Sequence, residues 1–239
     1  MSNSKNVEAF GKLVGICTGY GGSYNPGTPN LRVESLTALL ATSREALRQV
    51  SAAKTEIENA TNQREVAYIG LKKLVSRVVF ELRSSNVLPQ TLADAYTAVR
   101  KIRGQGLKDR PPVSTKEGEA VAKSSRAYGS DYNSVVYHLE KLIQTLATEP
   151  NYQPGLADLH VVNLQTTLTE LREVNATVLS ALVALGKARR VRNELLYTSE
   201  NSLFATSKAV RQQVRATFGY VSDATHAIRQ IRFTKPHVR

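Results

Sequence analysis

Apolar residues recur along the first part of the chain at the spacing of a single helix face. Val33, Leu36, Leu40, Ser43, Leu47, Val50, Lys54, Ile57, Thr61, Arg64 and Tyr68 follow a period of about 3.5 residues, and the phase continues through Leu71, Val75, Val78 and Leu82. Eleven of these fifteen positions are apolar or tyrosine and no proline falls between residues 30 and 88, so the pattern predicts one or two long amphipathic helices. Gly70 is the expected break or bend. A helix over 33–69 would be roughly 55 Å long.

The same pattern returns 128 residues later at Val161, Leu164, Leu168, Leu171, Asn175, Val178, Leu182, Leu185, Arg189, Arg192 and Leu196. The approach to it returns as well: Tyr24-Asn25-Pro26-Gly27 and Asn30-Leu31 become Tyr152-Gln153-Pro154-Gly155 and Asp158-Leu159. Each Pro-Gly reads as a turn, and Asn30 and Asp158 are candidate caps for the helices that follow. The polar run Thr198-Ser199-Glu200-Asn201-Ser202 should end the second long helix and cap another near Leu203. Further on, Asp94-Ala95, Ala98-Val99-Arg100, Ile102 and Arg103 match Asp223-Ala224, Ala227-Ile228-Arg229, Ile231 and Arg232 at an offset of 129. A further helix is expected over 134–146, with its first-copy counterpart around 7–16.

No segment alternates with period two over a useful length, so strands are not expected. The reading is an all-α protein, an elongated helical bundle built from two tandem diverged helical repeats with pseudo-twofold symmetry. In it, two long antiparallel helices bury their seams against each other. Residues 1–103 form the first repeat and 132–239 the second. Residues 104–131, which include Gly104, Gly106, Pro111 and Pro112, form the linker.

Composition narrows the class without choosing a function. A chain of 239 residues that is 41% hydrophobic and 22% charged can bury a sizeable core. One cysteine, Cys17, excludes an intramolecular disulfide framework. No apolar run approaches the ~18–20 residues of a membrane span, and the amino terminus has no signal core, so a cytoplasmic protein without an integral membrane segment is expected. The net charge of +12 is unevenly spread. Residues 33–70 carry four basic and five acidic side chains, whereas 71–103 carry seven basic against Glu81 and Asp94. Likewise 161–200 is nearly neutral, while 201–239 has seven basic residues against Asp223 alone. The excess lies in the later part of each repeat.

Candidate chemistry is sparse. His138, His160, His226 and His237 belong to no metal-ligand spacing, and triad, P-loop and dinucleotide motifs are absent, so neither an enzyme, a metal nor a cofactor is expected. Arg64 and Arg192 occupy one matched position of the apolar seam, where an arginine must be paired or must snorkel. An ion pair with Glu65 or Glu194 is the bland reading, and an anion site between the long helices the sharper one. Lys72, Lys73, Arg77, Arg100, Lys101, Arg103, Lys208, Arg211, Arg215, Arg229, Arg232 and Lys235 are candidate polyanion-binding residues, because clustered cations displace counterions from a nucleic-acid backbone. Solvated helix faces carry such runs too. Tyr20, Tyr24, Tyr128, Tyr132 and Tyr152 sit in turns, as interface anchors or as packing for the bundle ends.

The combination Ala9-Phe10-Gly11-Lys12-Leu13-Val14-Gly15, Tyr24-Asn25-Pro26 and Val99-Arg100-Lys101-Ile102-Arg103-Gly104 resembles a group of duplicated, all-helical bacterial proteins without a known function. The resemblance implies the helical fold and transfers no site residues. The functional expectation is a non-catalytic structural or protein-interaction scaffold, with a protein partner or self-association. The alternative is non-specific nucleic-acid binding through the basic helices.

Overall fold

The two long apolar seams form two long helices. In the computed structural model, which describes residues 2–104 and 131–234, they are α2 (Val33–Ala67) and α6 (Val161–Asn193). Around them lie α1 (Ser2–Gly19), α3 (Leu71–Ser84), α4 (Pro89–Ile102), α5 (Tyr132–Ala147), α7 (Leu203–Phe218) and α8 (Asp223–Arg229), with no strand among the described residues. The interior of the linker and Lys235 lie outside them.

Local chemistry sets the breaks. α2 stops at Ala67, and Gly70 adopts φ 86° before α3 begins, a left-handed conformation that glycine takes without a Cβ penalty. α6 ends in a π-helical turn, Glu194–Thr198, and Ser202 then caps α7 by accepting from the Ala205 amide. Asn30 and Asp158 do not cap α2 and α6. They fall inside the 3-10 turns Pro29–Leu31 and Ala157–Leu159, two residues further from the helix than a cap requires. Their side chains are used elsewhere: Asn30 donates to Asn201, and Asp158 accepts from Arg77.

The turn ahead of each long helix is built the same way twice. The buried Tyr24 hydroxyl donates to the Leu31 carbonyl at 3.0 Å, and the buried Tyr152 hydroxyl donates to the Leu159 carbonyl at 2.8 Å. Each bond satisfies a carbonyl that the short 3-10 turn would otherwise leave buried and unpaired.

Contacts divide the chain into two compact units, Met1–Glu58 with Ala181–Arg239 and Asn59–Ser180. Each is assembled from one short helix (α1 or α5), the first part of one long helix, the last part of the other, and the two helices that follow the latter. Helix length explains why. A helix of 35 residues is ~52 Å long when straight, enough for its two ends to be packed by different sets of helices.

In the first unit, Leu36 and Leu40 share a core with Phe10, Leu13 and Cys17 of α1 and with Val210 and Val214 of α7. Asn6, buried in α1, ties the end of the chain to this core: its side-chain amide donates to the Thr234 carbonyl and accepts from the Thr234 amide, at 2.7 and 2.8 Å. In the second unit, Leu164, Leu168 and Leu171 join Val75, Val78, Leu82, Val99, Ile102, Leu139 and Leu142. The shorter helices therefore complete both cores, rather than seam closing on seam alone. The middle of each seam is open, with Lys54 and Leu182 exposed.

Candidate functional site

Neither seam arginine takes part in an ion pair among the described residues. Arg64, near the end of α2, lays its guanidinium over the Tyr132 ring, 3.9 Å from the centroid, and its buried Nε meets no acceptor among the described residues. Arg192, in the last turn of α6, donates from Nε and Nη2 to Asn193 at 3.1 and 2.7 Å, and burial pulls its pKa below the usual arginine range. The two arginines belong to different units. A tyrosine near each performs a parallel task. Tyr68 donates to the Tyr132 carbonyl at the start of α5, while Tyr197 donates to Asn3 near the start of α1 and accepts from Asn6.

The basic residues of the second unit converge on a groove between α3 and α4. Lys72, Lys73, Ser76, Arg77 and Arg103 line a space of about 570 Å³. Arg103 also borders a neighbouring space of about 310 Å³, together with Tyr96, Thr97, Val99 and Arg100. The half-buried Arg103 guanidinium donates to the Ser76 hydroxyl, which in turn donates to the Lys72 carbonyl. Arg77 forms a two-pronged ion pair with Asp158 at the edge of the groove. Lys101 lies apart, toward His138 of α5, whose pKa is lowered first by burial and then by Lys101 and Lys141.

The basic residues of the first unit do not converge in this way. Arg211 points inward, donating to the Ile231 carbonyl and lying 5.1 Å from the Phe233 ring centroid; burial lowers its pKa, and Arg215 adds to the effect. Arg215 and Arg229 lie 5.8 and 5.4 Å from the centroid of the exposed Tyr220 ring. Lys208 sits over Phe204. Arg232 borders a space shared with Lys5, Glu8 and Lys12, where charges of both signs meet.

Of the tyrosines expected in turns, those described pack against neighbouring residues, and Tyr132 opens α5 rather than preceding it. Tyr24 and Tyr152 are buried, Tyr132 receives Arg64, and Tyr20 packs on Phe218 with ring centroids 4.7 Å apart; Tyr128 lies outside the described residues. The exposed aromatic residues near cations are instead Tyr96, which borders a space with Arg100 and Arg103, Tyr137, whose ring has Lys141 at 5.5 Å, and Tyr220, none of which the sequence reading singles out. Tyr96 was findable, because it precedes Arg100 and Arg103 by four and seven residues, the spacing of one helix face. Among the described residues no group of three His, Cys, Asp or Glu side chains could hold a metal ion. No described helix is long and apolar enough to cross a membrane.

The described residues form an all-helical structure with a cation-lined groove in the second unit. No protein-family model, curated protein or solved structure matches the chain.

Proposed function

We propose that the chain is a non-catalytic structural or protein-interaction scaffold made of two tandem diverged repeats that complete each other. The observation that carries this reading is the matched construction of the units. Each holds a tyrosine-locked 3-10 turn, and each combines the same kinds of helical pieces drawn from both halves of the chain. The pseudo-twofold relation, the linker at 104–131, the bacterial helical group, a cytoplasmic location and function without metal or cofactor all belong to the same proposal. Its partner is another protein or a second copy of the chain.

Residues 1–104 and 131–239, produced as two separate polypeptides, test it. They should associate with each other, or each with itself, because neither contains a complete core. Two stable, independently folded monomers would overturn the proposal.

A second reading, non-specific binding of nucleic acid or another polyanion, is favoured by the α3–α4 groove, whose lining residues include four cations and no carboxylate. Purification in mild salt, followed by mass and absorbance at 260 nm, tests both readings together. A discrete mass with protein-like absorbance supports the scaffold; co-purifying 260 nm absorbance that salt removes supports polyanion binding.

A further inference from the structure

We propose that the α3–α4 groove binds single-stranded nucleic acid, with Tyr96 as the platform on which a base stacks. The proposal rests on the polyanion reading and goes beyond it by naming the strand and the base contact. Three observations point the same way. First, Tyr96, Arg100 and Arg103 share one face of α4, spanning ~10 Å along its axis, and all three border the same space. Second, Arg103 is common to this space and to the larger one, so an aromatic ring and a row of cations occupy one continuous surface of the second unit. Third, Arg103 lies against Ser76 of α3 and borders both spaces, which puts its guanidinium between the Tyr96 ring and the α3 lysines, where it can reach a phosphate.

The ring is what favours a single strand. Tyr96 is 42% exposed, a large ring beside Arg100 and Arg103 that packs on no other aromatic ring among the described residues. A base freed from pairing can stack on such a ring, whereas a base inside a duplex presents only its edges. A phosphate chain without bases would use the cations and ignore the tyrosine. Asp158 occupies Arg77, so the free cations of the groove are Lys72, Lys73, Arg100 and Arg103.

The test is fluorescence anisotropy on the full chain, using labelled oligothymidylate and oligouridylate of about 20 nucleotides, a duplex of similar length, and inorganic polyphosphate as competitor. Four neutralised phosphates predict a log–log salt slope of about −3 for a single strand. Tyr96→Ala should weaken either oligonucleotide about 10-fold while leaving polyphosphate competition at the groove cations unchanged. Tyr96→Phe should keep wild-type affinity. The double change Lys72→Ala with Lys73→Ala should reduce the slope by about 1.4.

Tyr137→Ala, which removes an exposed tyrosine on α5 outside the groove, should have no effect. Binding that ignores Tyr96, or a preference for duplex, would overturn the single-strand proposal and leave polyanion binding standing. No binding of any of these ligands, or binding with no salt slope, would overturn both.

Discussion

Arg64 stacks on Tyr132 across 68 residues of sequence, its guanidinium carbon 3.9 Å from the ring centroid. The same ring meets Tyr68 edge-on at 4.7 Å, and the Tyr68 hydroxyl, which donates to the Tyr132 carbonyl, accepts from Asn175 at 3.0 Å. One aromatic residue at the start of α5 thus gathers the end of α2 and the middle of α6. A cycle of Arg64→Ala, Tyr132→Ala and the double variant should show a coupling of about 1 kcal/mol in denaturant unfolding. Additive single effects would mean that the stack contributes only packing area.

Tyr24→Phe and Tyr152→Phe should each lower stability by about 1–1.5 kcal/mol, since each leaves a buried carbonyl without its donor. For a chain of this size that is a fall of about 3–4 °C in Tm. The residues lie in separate cores, so the double variant should show the sum. Unequal losses would refute the equivalence of the two turns.

Cys17 is fully buried, and burial pushes its thiol from 9.0 to about 11, with a smaller opposing effect from the Tyr24 hydroxyl. A raised pKa on an acid means that the folded state holds the proton more tightly. The associated stability is therefore complete below the unfolded thiol's pKa and is lost as pH rises toward 11. The loss reaches up to about 3 kcal/mol. Burial also raises Tyr24, and raises Tyr152 to about 12, which adds to the decline at higher pH. Denaturation midpoints should stay level from neutral pH to near 9 and fall above it. Cys17→Ala should reduce the slope of that fall, and a thiol reagent should label Cys17 only on unfolding.

Gly70→Ala should cost about 1–2 kcal/mol through the backbone alone, because φ is 86° and an added Cβ would meet no atom within 4 Å. Gly155→Ala, where no positive φ is required, should be close to neutral in the same thermal melt. Equal effects at the two sites would show that the left-handed turn does not set the α2–α3 break.

What could be read from sequence is local, and what could not depends on distant residues. The period of the two seams, the stop at Gly70 and the Ser202 cap ahead of Leu203 all follow from residues within a turn or two of each other. Periodicity requires that a face be covered but does not name the cover. Leu182 therefore fits the seam pattern yet is 58% exposed, while Leu36 is buried by helices at both ends of the chain. Asn30 and Asp158 resemble caps by composition, but the 3-10 turn displaces them. At the candidate site the cations of α3 and α4 are visible as a cluster in sequence. The Ser76 contact of Arg103, and the inward course of Arg211, depend on partners 27 and 20 residues away.

Because the units draw on both halves of the chain, synthesis and completion run in different orders. α1 leaves the ribosome well before its core partners Leu203, Val210, Val214 and Ile228 and the Thr234 backbone that clamps Asn6. Asn6 and Thr234 are 228 residues apart, a delay of about 10–45 s at common elongation rates. Until then Phe10 and Leu13 have only early neighbours such as Tyr24, Leu36 and Leu40 to pack against, and the rest of that core stays open or is shielded by a chaperone. A stop codon ahead of α7 would therefore do its damage in α1, leaving a helix made long before the break as the exposed mark of an unfinished product.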